Sequence, residues 1–379
     1  MSYGSRFALE KAQHVFGGER HLALAGVTSR GSEWPLPFDI APVLALRGQP
    51  VAVLASGDPF WYGAGGSLAA HLSPGEWVAF PLPSTFSLAA SRLGWRLEQV
   101  HCFGLHATPF SRTRSSLHCG EQLLCLLRDG KAARDFAQWL TLQGIGASSV
   151  WVLEALGGPR ERIRHCPAHT LDFADIESPV AMAVQIAGQE SGVLGLAKTP
   201  GLPDTSFAHD GQITKSPIRA ITLSALAPRP KEHLWDLGAG SGSVSVEWCL
   251  AGGTASAVEQ NAERSANIRT NAASFGIDHR LAVHYGTTSK LIAGLPKPQA
   301  IFVGGGFDMA LLAALQSIAP AGFRLVVNAV TLETESTLLQ LHAQHGGELM
   351  RIELAQAAPL GRMRGWQPSR AVVQWSVTL

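Results

Sequence analysis

The sequence predicts an α/β protein built of two modules, the C-terminal one a doubly wound, Rossmann-like sheet. Three observations predict it. From residue 233 onward, strand-like runs alternate with helical ones through five units. The first of these units carries a glycine-rich loop between its strand and its helix. The N-terminal half also mixes strands and helices, and there a short apolar run twice breaks into a turn-rich loop ahead of a helix.

Composition permits this. The chain has 379 residues, 46% hydrophobic and only 16% charged, so two ordinary cores can be filled. A formal net charge of +1 argues against broad, phosphate-driven nucleic-acid binding, although a local basic pocket is compatible with it. No run of about 18 apolar residues occurs, so no membrane span is expected. The N-terminus shows no signal-peptide core, and a cytoplasmic location is expected. The five cysteines, Cys102, Cys119, Cys125, Cys166 and Cys249, are odd in number and form no Cys-x-x-Cys pair. That suits a reducing compartment. The pairs His101-Cys102, His118-Cys119 and His165-Cys166 are not expected to hold a metal, because neighbours on a strand point to opposite faces.

In the N-terminal half, residues 50–56 read as a buried strand running into the turn-rich loop Gly57-Asp-Pro-Phe-Trp-Tyr-Gly63, with a helix from about Gly65. Residues 81–87 repeat the theme as a short strand, a Ser/Thr turn with Ser84 as helix cap, and a helix through Ala90. Both loops stand at carboxyl ends of strands, where open α/β sheets take ligands. Trp61 and Tyr62 read either as stacking platforms or as core aromatics. A Gly/Pro-rich shift at residues 187–205 reads as a linker.

In the C-terminal half, strand-like runs fall at 233–237, 254–259, 281–285, 299–303 and 323–330. Helical runs fall at 244–250, 261–275, 309–318 and 333–345. Two last strands near 349–355 and 371–377 are joined by a polar, Gly-rich loop. Asn267, Asn271 and Ser274 share one face of the 261–275 helix, which reads as a solvated face.

The chemistry centres on Leu234-Trp-Asp-Leu-Gly-Ala-Gly-Ser-Gly-Ser-Val-Ser-Val-Glu-Trp248. An apolar strand ends in Asp236, and a loop with Gly238, Gly240 and Gly242 leads into an amphipathic helix. Glycines let the backbone approach a ligand closely, and the helix N-terminus offers free N–H groups. Glu259, at the end of the next strand, is placed to accept both hydroxyls of a ribose. Ser243 stands where a dinucleotide fingerprint wants its third glycine. With the acidic residue ahead of the loop, the pattern points to S-adenosyl-L-methionine (SAM) rather than NAD. The alternative is a tight βα turn that binds nothing.

Ordered motifs along nearly the whole chain resemble the precorrin-6Y C(5,15)-methyltransferase (decarboxylating) family of cobalamin biosynthesis. In the first half these are Val15-Phe-Gly-Gly-Glu-Arg-His-Leu-Ala-Leu24, Leu54-Ala-Ser-Gly-Asp-Pro-Phe-Trp-Tyr-Gly63, Pro83-Ser-Thr-Phe-Ser-Leu-Ala-Ala90 and Glu154-Ala-Leu-Gly-Gly-Pro-Arg-Glu161. In the second they are Leu202-Pro-Asp-Thr-Ser-Phe207, Gly211-Gln-Ile-Thr-Lys-Ser-Pro-Ile-Arg219, the glycine loop, Ile301-Phe-Val-Gly-Gly-Gly306, Asn328-Ala-Val-Thr-Leu-Glu-Thr334 and Pro359-Leu-Gly-Arg-Met-Arg-Gly-Trp366.

The resemblance implies a tetrapyrrole-methylase-like (class III) module over 1–187, a linker over 188–203, and a class I SAM-dependent decarboxylating methyltransferase module over 204–379. It implies SAM-dependent methylation of a precorrin at carbons 5 and 15, with loss of carbon dioxide from the ring C acetate. The cofactor residues expected in the second module are Thr214, Asp236, Gly238, Ala239, Gly240, Ser241, Gly242, Glu259, Gly286, Thr287 and Gly304. In the first module they are Gly57, Asp58, Pro59, Ser84 and Thr85. Because the substrate carries many carboxylates, Lys215, Arg219, Arg362 and Arg364 are the expected substrate contacts. The expected partner is the precorrin, with no nucleic acid and no membrane, in a homo-oligomer.

Three departures stand out. Relatives open with a strand and a Gly-Ile-Gly loop. Here Phe7-Ala-Leu-Glu-Lys-Ala12 leads straight to Val15-Phe16, so a first module lacking about one β-loop-α unit is expected. Leu105-His-Ala-Thr108 replaces a His-Gly-Arg stretch, and Gly286-Thr-Thr288 replaces a Gly-Asp-Ala one. Two other readings are a C-terminal module active alone and another SAM enzyme such as an RNA methyltransferase. The latter would carry an Asn/Asp-Pro-Pro-aromatic loop, where this chain has Gly304-Gly-Gly-Phe307. A third is a non-catalytic scaffold that keeps the folds.

Overall fold

The computed structural model describes residues 1–188 and 195–379. Residues 189–194 of the expected linker therefore lie outside the described residues, and residues 195–203 form no helix or strand. The chain divides into two compact units. The first comprises Met1–Thr108 and Cys119–Val193, the second Pro109–His118 and Leu194–Leu379.

The first unit holds two sheets. In one, β1 (His14–Gly17) lies between β2 (Gly31–Glu33) and β3 (Val51–Val53), all parallel. Around it run α1 (Tyr3–Lys11), α2 (Glu19–Ala25), α3 (Ala41–Leu44) and α4 (Ala64–Ala69). β3 is half-buried rather than buried as expected, because it pairs on one side only. The other sheet has the order β4-β5-β8-β6-β7, with β4 (Val100–Gly104), β5 (Gln122–Leu127), β6 (Ser149–Glu154), β7 (Arg162–Pro167) and β8 (Val180–Gln185). It packs with α5 (Thr85–Leu93), whose Phe86 shares a core with Leu124, and with α6 (Gly130–Leu142), whose Phe136 is fully buried. The short strand expected within 81–87 does not form. Pro81 and Pro83 have no N–H to give a ladder. The helix expected after it begins at Thr85, with Ser84 capping it through a 3.2 Å bond from the Ser87 N–H.

The second unit is a seven-stranded sheet of order β11-β10-β9-β12-β13-β17-β14. Its strands are β9 (His233–Leu237), β10 (Thr254–Glu259), β11 (Leu281–Tyr285), β12 (Ala300–Val303), β13 (Arg324–Ala329), β14 (Glu348–Ile352) and β17 (Val372–Thr378). The first five are parallel, and β17 runs antiparallel between β13 and β14. The chain leaves β9 for β10 and β11 on one side, then returns to β12 on the other. The carboxyl end of β9 is thus the switch point where a doubly wound sheet opens a crevice.

Alternation along the strands feeds two cores. Leu234, Ala255 and Ala257 face α7 (Ser216–Leu226), α8 (Ser243–Leu250) and α9 (Ala262–Ser274). Trp235, Leu237 and Ile301 face the side of α10 (Thr288–Leu291), α11 (Met309–Ile318) and α12 (Leu332–His345). Fully buried Trp235 and Trp375 satisfy their indole N–H groups on the carbonyls of Pro296 and Gly346. Two expectations need correction. Helix α8 is not amphipathic: Ser243 to Cys249 are all buried, because α7 and α9 cover its outer side while the sheet covers its inner one. The polar loop expected between the last strands is a hairpin of β15 (Ala355–Leu360) and β16 (Met363–Pro368).

Candidate functional site

A cavity of about 980 Å³ opens beside the carboxyl ends of β9, β10, β12 and β13. The glycine loop forms its floor. Gly238, Gly240 and Gly242 all have positive φ, which only glycine adopts without strain. A Cβ on Gly238 would lie 2.9 Å from the Gly305 carbonyl oxygen, and one on Gly240 would lie 3.1 Å from that of Gln212. The first keeps the loop against the end of β12; the second keeps it against residues 211–215.

Glu259 locks this floor. One carboxylate oxygen accepts from the Gly240 N–H at 2.8 Å, the other from the Asn261 N–H at 2.9 Å. A carboxylate has about four acceptor sites, so each oxygen keeps capacity for a ligand hydroxyl. The Gly238 and Ala239 N–H groups both reach the Val258 carbonyl. Around the loop the cavity is lined by Thr214, Lys215, Gly286, Thr288, Ser289 and Gly304 to Gly306. Gly305 and Gly306 face open space where a Cβ would sit.

Several expected cofactor residues stand elsewhere. Asp236 is fully buried beneath the loop and does not line the cavity. One of its oxygens accepts from Ser245 N–H at 3.2 Å and from Ser245 Oγ at 2.6 Å; the other has no partner among the described residues. Burial pushes its carboxyl up to about 6, partly offset by the Ser245 bonds. Asp236 anchors the first turn of α8. Ser241 is also buried, its hydroxyl without a partner among the described residues, and Gly242 abuts Ile268 of α9, where a Cβ would meet Cγ2 at 2.8 Å. Thr287 is exposed and outside the lining, and Thr288 takes its place.

Arg219 is not available to a substrate. It is fully buried, and its guanidinium donates to Glu247 at 2.6 Å, to Asp204 at 3.1 Å, and to the carbonyls of Thr214 and Leu202. Glu247 in turn accepts from the Gly201 and Leu202 N–H groups. This buried cluster pins residues 201–216, which carry the Gln212 to Lys215 wall of the cavity. Lys215 stays exposed on that wall, 3.6 Å from Asp204. Arg362 and Arg364 sit exposed on the β15–β16 hairpin, outside the cavity lining.

Sequence reasoning also missed residues. Asn271 is buried, not solvated: its amide bonds both N–H and C=O of Ala208 and the Ser241 carbonyl, tying the glycine loop to the segment ahead of α7. Asn328 and Arg370 line the cavity far along the chain from the loop. The polar identity of Asn271 was visible; its orientation depends on residues 63 positions away.

In the first unit the two expected loops meet. A Cβ on Gly57 would lie 2.8 Å from the Pro83 oxygen, and the Leu82 N–H donates to the Gly57 carbonyl at 3.1 Å. Asp58 accepts from the Phe60 N–H at 2.8 Å, as a turn aspartate does, and Pro59 and Thr85 are half-buried beside them. Trp61 and Tyr62 are 37% and 53% exposed, so neither is a core aromatic. Both pack their rings on Phe86, and the Tyr62 hydroxyl bonds the Cys102 carbonyl.

The floor, with its Cβ-free glycines and acceptor carboxylate, fits SAM. Comparison with known proteins finds methyltransferases. The profile of the family described as "Precorrin methyltransferase domain" matches residues 205–379, and that of "Tetrapyrrole (Corrin/Porphyrin) Methylases" matches residues 6–172. A precorrin-6Y C(5,15)-methyltransferase [decarboxylating] from Sinorhizobium sp is 44% identical over 98% of this chain and 91% of that protein. One of the same name from Mycobacterium tuberculosis is 38% identical over 100% and 96%. A crystal structure of the C-terminal domain of precorrin-6Y C5,15-methyltransferase from Rhodobacter capsulatus is 55% identical, covering 48% of this chain and all of that one, with a TM-score of 0.48.

Proposed function

From the premise that the chain belongs to the precorrin-6Y C(5,15)-methyltransferase (decarboxylating) family, we propose that it methylates a precorrin at carbons 5 and 15 with SAM and removes the ring C acetate carboxyl as carbon dioxide. The second unit methylates carbon 15 and decarboxylates; the first methylates carbon 5. The observation that carries this reading is the glycine floor closed by Glu259 at the switch point of the second unit's sheet.

Bound SAM supplies a methyl group on a sulfonium, already electrophilic. The chain's own residues then bind and orient. Glu259 accepts the ribose hydroxyls. Gly238, Ala239, Gly240, Gly286, Thr288 and Gly304 shape the cofactor's half of the cavity, and Thr214 closes its edge. Asp236, Ser241 and Gly242 act from beneath by holding the turn into α8. Apolar walls from Ile218, Ile292 and Leu311 would exclude water and help hold the substrate against the cofactor. Decarboxylation needs an electron sink, which the conjugated tetrapyrrole provides, so the protein need only orient the acetate.

Lys215 at the cavity wall, and Arg362 and Arg364 on the hairpin, offer charges to the substrate's carboxylates. In the first unit, Gly57, Asp58, Pro59, Ser84 and Thr85 form the corresponding cofactor loops. No helix among the described residues is long and apolar enough to cross a membrane. Exposed Leu36, Phe38 and Val78 on the first unit support a homo-oligomer. The test is mass spectrometry of the product formed from a reduced precorrin and SAM. Two added methyl groups with one carbon dioxide lost are expected. A purified chain that binds SAM but leaves every precorrin unchanged refutes the reading.

A further inference from the structure

On the far side of β12 from the glycine loop, at β13 and β17 and the segments beside them, the cavity is lined by Asn328, Val330, Leu354, Ser369, Arg370 and Val372. Behind it lies a small polar cluster in an otherwise apolar layer between α7 and the strands β13 and β17. Thr222 is fully buried and Gln374 nearly so, while Asn328 is half-buried and reaches the cavity wall. Asn328 and Gln374 are register partners across β13 and β17. The Asn328 amide donates to Thr222 Oγ1 at 2.9 Å, and its oxygen accepts from Gln374 Nε2 at 2.8 Å. Gln374 Nε2 also donates to Thr222 Oγ1 at 3.0 Å.

Burying such groups among Ile218, Ile352 and Val372 lowers stability unless their bonds are made, and apolar residues of the same volume would pack there without that demand. What the cluster achieves is orientation. With its oxygen held by Gln374 and one N–H by Thr222, the Asn328 side chain is fixed in a single flip state with one N–H in hand. The other N–H has no hydrogen-bond partner among the described residues, and Asn328 lines the cavity. Among the described residues, three cations line the cavity. Lys215 stands near Asp204, and Arg264 pairs with Asp210 at 2.7 Å. Arg370 forms no ion pair among the described residues. An oriented amide donor and an unpaired guanidinium in one half of a cavity call for a carboxylate.

We infer that Asn328 and Arg370 bind a peripheral carboxylate of the tetrapyrrole, with Thr222 and Gln374 as positioning residues that hold the Asn328 amide. This rests on the proposed function and assigns its substrate half. The test measures steady-state constants of the full chain for a reduced precorrin and for SAM. Arg370→Gln is expected to raise the KM for the precorrin roughly tenfold and to leave the KM for SAM unchanged. Thr222→Val, which keeps the shape and loses the hydroxyl, should raise the same KM several-fold, and Thr222→Ser should restore it. Wild-type KM values in both Arg370→Gln and Thr222→Val overturn the inference. So does an equal rise in both substrates' KM, or a Ser variant no better than Val. A wild-type chain with no precorrin turnover overturns the underlying function as well, and is seen before any variant is made.

Discussion

Replacing Asp236 by asparagine tests the beneath-the-loop role of this residue through pH. In the folded chain burial pushes the carboxyl up from 3.8 to about 6. The folded state therefore binds this proton more tightly than the unfolded one. Stability linked to Asp236 is full below the unfolded value and is lost as pH rises through the folded one. A displacement of about two units at about 1.36 kcal/mol each gives a loss of about 3 kcal/mol by neutral pH, of which about 2 kcal/mol falls between about pH 4.5 and about pH 7.5. Asp236→Asn keeps an acceptor for Ser245 N–H and Oγ–H and cannot ionise. Its own effect, with an amide group in place of the unpartnered oxygen, is constant with pH. The difference in stability between variant and wild type should thus move by about 2 kcal/mol in the variant's favour across that window. Native-state hydrogen exchange of the β9 and β10 amides, corrected for intrinsic rates, reads the opening free energy of this unit directly. A difference that stays flat with pH would mean that Asp236 is ionised at no penalty, and the burial argument fails.

Three further perturbations follow from the site. Glu259→Ala removes the ribose acceptor and frees the Gly240 N–H, so SAM binding should weaken by about 1–3 kcal/mol by calorimetry; unchanged affinity would misplace the cofactor. Asn271→Ala deletes the bonds to Ala208 and Ser241 and should speed exchange of the Ala208 amide while lowering stability by about 1–3 kcal/mol; an unaltered exchange rate would show that the tie is idle. Arg219→Met leaves Glu247 buried without its cation and should destabilise the second unit by about 3–5 kcal/mol in urea unfolding. A variant that is fully stable yet loses precorrin affinity would return Arg219 to the substrate.

What was legible in the sequence is local. The spacing of Gly238, Gly240 and Gly242 after an apolar strand, with Glu259 closing the next, foretold the floor because backbone geometry alone demands glycine there. Strand and helix periods foretold the order of β9 to β13. What failed depended on neighbours distant in the chain. The α8 helix lost its solvent face because α7 and α9 close over it. Arg219 carries a charge, which suggested a ligand, but Glu247 and Asp204 consume it from 28 and 15 positions away. Asn328 opens one of the motifs that carry the resemblance, but nothing in that motif pointed to a site, and Arg370 has no local signature; the pairing of β13 with β17 and the fold of the preceding segment bring them to one cavity.

The division of labour between the units is tested most directly by Gly240→Val in the full chain. A branched side chain at φ +58, with its Cβ against the Gln212 oxygen, disrupts the second unit's floor. Product formed from a reduced precorrin and SAM carrying a 13C methyl group is read by carbon NMR and mass spectrometry. The variant should lose the carbon 15 methyl and the release of carbon dioxide together, while any carbon 5 methyl the wild type installs persists. A variant that still adds the carbon 15 methyl and still releases carbon dioxide at the wild-type rate would contradict the placement of both steps in this cavity.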